Sequence, residues 1–159
     1  MPDIQASIAQ HYHQRTKYDP ETIASKGKNI DWSQQPSPFK EYKIGKIFDL
    51  KPYLDDRAPK DEETQQWQRL SRFFLCSYGI TAKMATLFGP PLYLRATPSA
   101  GGLYPAELYL ISRGTALLPA GLYNYQAQTH SLIQFWEKDV SINLQVACFN
   151  HPALKQTAL

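Results

Sequence analysis

The residues best suited to chemistry lie in one loop, Arg95-Ala-Thr-Pro-Ser-Ala-Gly-Gly-Leu-Tyr-Pro-Ala-Glu-Leu-Tyr109. Pro98 fixes its own φ, whereas Gly101-Gly102 allow backbone angles and close approaches that a side chain would forbid. Ser99 adds a short polar side chain. The loop leads into Leu108–Ile111, which reads as a buried strand. The sequence therefore predicts a loop that presents backbone N–H and C=O groups to a flat polar ligand.

Other familiar chemistries do not fit this loop. A serine nucleophile in a strand-to-helix turn requires Gly-x-Ser-x-Gly, but Thr97 occupies the first position of that pattern around Ser99. Gly101-Gly102 matches neither the dinucleotide-binding nor the triphosphate-binding glycine pattern. The histidines of the chain do not have the spacing of metal ligands; they are His11, His13, His130 and His151.

Composition indicates a globular protein of one domain. The 159 residues are 43% hydrophobic and 13% aromatic, and a formal net charge of +3 is too balanced to predict a nucleic-acid partner. Cys76 and Cys148 form no CxxC pair, so a reducing compartment is expected. We find neither a secretory signal nor an apolar run of membrane-spanning length. These features predict a cytoplasmic protein that does not bind membranes.

The sequence of the first 60 residues predicts few elements that would pack in the hydrophobic core. Ile4, Ile8 and Tyr12 recur at a spacing of four, which favours a short helix over 4–14. Residues 19–60 contain five prolines and little periodicity, which is typical of an extended surface arm. Only 42–50 has the pattern of a strand. We therefore expect an N-terminal helix and arm over 1–60, followed by the main domain over 61–159.

The residue pattern of the main domain predicts an α+β fold. A helix should begin at Asp61, bury an apolar stripe and end near Gly79, and 80–88 should add a further helical turn. The stripe consists of Trp67, Leu70, Phe74 and Tyr78. Residues 119–136 predict a β-hairpin with a turn over 126–130. Asp139 is placed to cap a last helix, which Pro152 should end.

Four segments, taken in order, resemble SagB-type dehydrogenases, which are flavin-dependent members of the nitroreductase-like family. The strongest is Arg95-x-x-Pro-Ser-Ala-Gly-Gly-Leu-Tyr-Pro-x-Glu-x-Tyr109, which includes Tyr104 and Glu107. The others lie at 12–17, at 70–81 and in the hairpin, where Ala120-Gly-Leu-Tyr-Asn-Tyr125 precedes His130-Ser-Leu132.

The resemblance implies an FMN-binding α/β sandwich, usually a homodimer. It implies that a cofactor-binding loop lies against the isoalloxazine ring of the flavin. The loop consists of Pro98, Ser99, Ala100, Gly101 and Gly102. Arg95 would either lie near the cofactor or brace the loop. On a small-molecule or peptide substrate, the resemblance also implies azoline oxidation, or nitro or quinone reduction with NAD(P)H as the donor. The catalytic residues are not identified.

The resemblance covers only the first part of such enzymes. An Arg-rich phosphate-binding segment and a Lys-Tyr pair belong to their later half, and Arg57 is a poor substitute for the phosphate ligand. We therefore expect a nitroreductase-like fold interrupted before its second half. The alternative expectation is a non-catalytic remnant or interaction module that keeps part of the fold.

Overall fold

The computed structural model describes residues 7–17, 19–20, 36–57, 61–87 and 89–155. The chain divides into two units, Met1–Gln35 and Pro36–Leu159. In the first unit, helix α1 covers Ile8–Thr16 and begins with a capping box between Ser7 and Gln10. The predicted helix over 4–14 is therefore present from Ile8 and extends two residues further than predicted, to Thr16, and positions 4–6 lie outside the described residues.

The second unit contains a four-stranded antiparallel sheet. Its strands are β1 (Lys46–Asp49), β4 (Tyr109–Ser112), β5 (Gly121–Gln126) and β6 (Ser131–Trp136), in the spatial order β1-β6-β5-β4. The predicted hairpin is β5 and β6, which pair directly through the turn before Ser131.

The strand pattern over 42–50 is confirmed by β1, but the expectation that 19–60 is a surface arm and not part of the core is wrong for its last part. β1 pairs with β6, with Lys46 opposite Gln134, and the following Leu50 is completely buried. Phe48 packs edge-on against the buried Tyr123 at 5.7 Å. This segment joins the sheet because its apolar residues meet partners far along the chain, which local periodicity cannot reveal. Positions 21–35 and 58–60 lie outside the described residues.

Helix α2 (Glu62–Tyr78) forms as the stripe of apolar residues predicts. Asp61 caps it by accepting a hydrogen bond from Thr64 N–H at 2.8 Å, and Trp67, Phe74 and Tyr78 are buried. Phe74 stacks on Tyr125 of β5 with ring centroids 4.9 Å apart. The helix thus covers one face of the sheet.

The further helical turn predicted after Gly79 is wrong. Strand β2 (Ile80–Met84) pairs with β3 (Leu92–Arg95) in a separate two-stranded ribbon, and position 88 lies outside the described residues. A Cβ on Gly79 would lie 2.6 Å from the carbonyl oxygen of Leu75, so the chain leaves the helix at a position that only glycine can occupy. The ribbon matters for function because β3 ends where the predicted ligand loop begins.

A third helix, α3, covers Ser141–Ala147. Asp139 accepts a hydrogen bond from Ser141 N–H at 2.8 Å, although the residue at the cap position itself is Val140. The helix ends at Ala147, before Pro152, which begins a short 3-10 turn over Pro152–Lys155. No helix in the described parts of the chain is long and apolar enough to span a membrane.

Candidate functional site

The predicted ligand loop lies between β3 and β4, so two different sheets fix its ends. Arg95 is the last residue of β3, and Ala100–Gly102 form a short 3-10 turn before the chain reaches β4. Gly101 and Gly102 adopt φ of 65° and 66°. These left-handed angles favour glycine, and a Cβ on Gly102 would also lie 3.0 Å from Leu92 Cδ1. The paired glycines are therefore a conformational requirement of this turn.

The loop is held from the inside, which leaves its outer surface free. Ser99 Oγ accepts a hydrogen bond from Tyr104 N–H at 2.8 Å, and Ser99 C=O accepts one from Gly102 N–H at 3.2 Å. Pro98, Ala100 and Gly101 are exposed. Within the described residues, the N–H groups of Ala100 and Gly101 donate no hydrogen bond. The loop thus offers two backbone donors to a ligand from an internally braced turn.

The side chain of Arg95 is enclosed at the start of this loop. The residue is 7% exposed, and its guanidinium carbon lies over three aromatic rings: Phe39 at 5.0 Å, Tyr78 at 4.6 Å and Tyr104 at 4.9 Å. We call this set the aromatic box. Nη2 of Arg95 also donates to the carbonyl of Pro38. The guanidinium is therefore enclosed, whereas Pro98, Ala100 and Gly101 of the loop are exposed.

Tyr104 connects the aromatic box to the loop backbone. Its hydroxyl accepts a hydrogen bond from Arg95 N–H at 2.9 Å, while its own N–H is the donor to Ser99 Oγ. Its φ of 47° is left-handed, an unusual angle for an aromatic residue. Tyr78 O–H donates to the carbonyl of Ala106, and burial raises the pKa of Tyr78, which keeps this donor protonated. Both tyrosines therefore fix the path of the chain after the glycines.

Sequence reasoning missed two contributors to this arrangement. Pro38 and Phe39 come from the segment predicted to be a surface arm, and no local pattern links them to Arg95.

Glu107, which belongs to the motif that resembles SagB-type dehydrogenases, accepts a 3.4 Å hydrogen bond from Asn124 Nδ2 of the neighbouring strand β5. Its observed contact is with the sheet.

A buried serine–histidine pair lies elsewhere in the core. Ser71 Oγ is 2.8 Å from His130 Nε2, and Tyr125 Oη is 2.7 Å from His130 Nδ1. Ser71 O–H donates to the carbonyl of Leu50 at 2.9 Å, so Ser71 Oγ must accept from His130 Nε2–H, and Nδ1 must accept from Tyr125. Burial lowers the pKa of His130, which favours this neutral form. Ser71 is completely buried, so the pair is a satisfied core network and not a nucleophile with its base.

The described residues contain no metal-ligand cluster, and Arg57 is paired with a carboxylate. No group of three or more His, Cys, Asp or Glu side chains could hold a metal ion there. Arg57 forms an ion pair with Asp55 at 3.1 Å, and its side chain is 90% exposed. The glycine loop therefore remains the candidate ligand site that the sequence predicts.

Comparison with known proteins agrees with this fold. No family model matches the sequence. The chain is 29% identical to the "Putative nitroreductase" of Methanocaldococcus jannaschii over 89 residues. This match covers 56% of this chain and 38% of that protein. The crystal structure of a "putative nitroreductase" from Anabaena variabilis ATCC 29413 shows 64% identity and a TM-score of 0.85; the match covers 96% of this chain and 30% of that one. The chain thus spans less than two fifths of the length of either relative, and over almost all of its own length it is similar to part of a protein named as a nitroreductase.

Proposed function

We propose that this chain forms the flavin-ring part of an FMN-dependent oxidoreductase of the nitroreductase type, and of its SagB-type branch. One observation carries the proposal: an exposed, internally braced glycine loop in a chain that is 64% identical to part of a protein named as a nitroreductase. The SagB-type assignment rests on the motif from Arg95 to Tyr109.

The loop residues fit the polar edge of a flavin ring. The unpaired N–H groups of Ala100 and Gly101 would donate to acceptor atoms of that edge, and the absence of a side chain at Gly101 would let the ring lie close to the backbone. Arg95, enclosed in the aromatic box, would hold the loop in place without contacting the flavin. When bound, the flavin supplies the hydride chemistry, and the residues of this chain orient the ring and tune its surroundings.

The wider activity belongs to this proposal as well. The substrate would be a small molecule or a peptide, oxidised at an azoline ring or reduced at a nitro or quinone group, with NAD(P)H as the donor in the reductive case. A homodimer is the proposed assembly. The phosphate of FMN would need cationic partners beyond those described around the loop.

Binding of FMN to the purified chain tests the proposal directly. Ala100→Pro removes one proposed donor, and the extended backbone of Ser99 (φ −149°, ψ 133°) is compatible with a following proline. Ala100→Ser keeps the N–H group and is the matched control. In a titration followed by flavin fluorescence, we expect the proline variant to bind at least ~10-fold more weakly than the serine variant, the loss of one well-placed hydrogen bond.

A non-catalytic remnant or interaction module is the second candidate function. The observation that favours it is the limited coverage, 38% and 30%, of the two relatives. A folded, colourless chain that takes up no FMN would support this candidate and sink the flavin proposal. NAD(P)H-driven reduction of a quinone or nitroarene by the isolated chain would exclude it.

A further inference from the structure

One short segment contacts both ends of the glycine loop. The segment is Pro38–Tyr42, and we call it the strap. The carbonyl of its first residue accepts a hydrogen bond from Nη2 of Arg95, where the loop begins, and its Phe39 ring lies 5.0 Å from the guanidinium carbon. At the other end of the strap, Tyr42 Oη lies 2.6 Å from the Oη of Tyr109, where the loop meets β4. One stretch of chain therefore joins the start of the loop to its end.

The strap is anchored to two different sheets. Phe39 packs edge-on against Tyr93 of β3, with ring centroids 4.9 Å apart. Tyr42 stacks on Phe135 of β6, with ring centroids 4.8 Å apart and planes 9° from parallel. Strand β3 belongs to the two-stranded ribbon and β6 to the four-stranded sheet. Both strap rings are partly buried, so each contact removes apolar surface from water and holds its end of the strap in place.

The strap is much shorter than the loop whose ends it joins. An extended chain spans at most ~3.6 Å per residue. The backbone from Phe39 to Tyr42 can therefore cover at most ~11 Å, whereas the backbone from Arg95 to Tyr109 could cover ~50 Å. The loop also contains two adjacent glycines at positive φ, which add backbone freedom. The strap therefore restricts the separation of the two ends more closely than the loop itself does.

We infer that the strap fixes the two ends of the glycine loop relative to each other, and that Tyr42 is a positioning residue for the loop. Tyr42 acts through Phe39 and the guanidinium of Arg95, whose backbone N–H donates to Tyr104 Oη. When the Tyr42 ring leaves Phe135, the strap loses its hold on the four-stranded sheet, and the turn that presents the two exposed N–H groups opens more often. This inference deepens the proposed function, on which it rests only for the identity of the ligand.

Hydrogen exchange in the intact chain measures how often the turn opens. The N–H of Tyr104 donates to Ser99 Oγ and that of Gly102 donates to Ser99 C=O, so both amides exchange when the turn opens. Tyr42→Ala removes the ring that stacks on Phe135. We expect both amides to exchange at least ~5-fold faster in this variant, the scale of one lost aromatic pair. Amides in the middle of helix α2 should keep their wild-type rates.

Three further variants isolate the ring contact. Tyr42→Phe keeps the ring against Phe135 and loses an exposed hydrogen bond that water replaces, so exchange should stay within ~2-fold of the wild type. Glu41→Ala changes a neighbouring exposed residue that makes no hydrogen bond or ion pair among the described residues, and it should leave exchange unchanged. Phe135→Leu removes the stacked ring from the sheet side and should also speed exchange, which keeps the test open if Tyr42→Ala fails to fold.

A double variant tests whether the strap acts as a unit. Phe39→Ala releases its other end, so adding Tyr42→Ala should speed exchange of the turn amides no further than ~2-fold. The inference is overturned if the effects of these two changes multiply, or if the turn amides are unchanged in both Tyr42→Ala and Phe135→Leu. Equal acceleration of the amides in helix α2 also overturns it, because that would report loss of the whole fold.

FMN affinity is measured on the same variants by titration. A turn that opens more often in Tyr42→Ala, while FMN binding is absent or unchanged, supports the strap and counts against the flavin proposal. Failure of the strap and failure of the flavin proposal are therefore distinguishable.

Discussion

Replacing Arg95 should show that the aromatic box, and not charge alone, stabilises the loop. Arg95→Met removes the guanidinium but keeps an apolar side chain of similar length. Arg95→Lys keeps the positive charge but has no planar group to lie over the rings of Phe39, Tyr78 and Tyr104. We therefore expect both variants to lose stability, with lysine no better than methionine.

The magnitude follows from opposing contributions. The hydrogen bond to Pro38 C=O contributes ~1.5–3 kcal/mol because its donor is charged. A desolvated cation over aromatic rings adds ~2 kcal/mol. Against these, Arg95 Nε is buried without a partner among the described residues, so its removal relieves ~1–3 kcal/mol. The free energy of unfolding should therefore fall by about 2 kcal/mol.

Urea unfolding followed by circular dichroism measures this change. Phe39→Leu and the double variant with Arg95→Met complete a mutant cycle, whose coupling energy should be ~0.5–2 kcal/mol if the ring and the cation interact. An Arg95→Met protein within ~0.5 kcal/mol of the wild type would refute the reasoning, because a change of that size is typical of a surface position. So would full rescue by lysine.

Three further predictions concern the core and the loop. Because the pKa of His130 is lowered in the folded protein, the unfolded chain binds a proton at this residue more readily as the pH falls. The contribution to stability is therefore complete above about pH 6.5 and is lost as the pH falls toward the pKa of the folded state. Between pH 7.5 and pH 5.5, the free energy of unfolding should fall more for the wild type than for His130→Gln. Gly102→Ala should cost ~1–2 kcal/mol because φ is 66° and the new Cβ would press on Leu92; a melting temperature equal to that of the wild type would contradict this. Tyr78→Phe should cost ~1–3 kcal/mol by leaving the carbonyl of Ala106 unpaired, and unchanged urea unfolding would rule this out.

Local features of the sequence account for much of the fold. The apolar stripe from Trp67 to Tyr78 predicts α2 because residues three and four apart share one helix face. The β5–β6 hairpin is recognisable because its strands are adjacent in the chain and joined by a short turn. The glycine loop is likewise local, and its positive φ angles follow from residue type.

Features that depend on distant residues could not be predicted from the sequence. Ile80–Met84 is a strand because it pairs with β3. The strand pattern over 42–50 is local, but the pairing of Lys46–Asp49 with β6, which makes it part of the core sheet, is not. The aromatic box is the clearest case for the candidate site. It joins Phe39 to Arg95, and neither residue type nor spacing indicates that these two residues meet.

The position of β1 in the sheet has a consequence for how the protein folds. Its partner strand β6 begins 82 positions after β1 ends, at Ser131 against Asp49, so Lys46 meets Gln134 only after all the intervening residues have been synthesised. The β5–β6 hairpin closes a short loop and loses little chain entropy, whereas β1 must close a long one. We expect the hairpin to form first and β1 to join it late. Until then Leu50 and Phe48 stay exposed, and a nascent or heat-stressed chain would be most open to aggregation or chaperone binding at this segment.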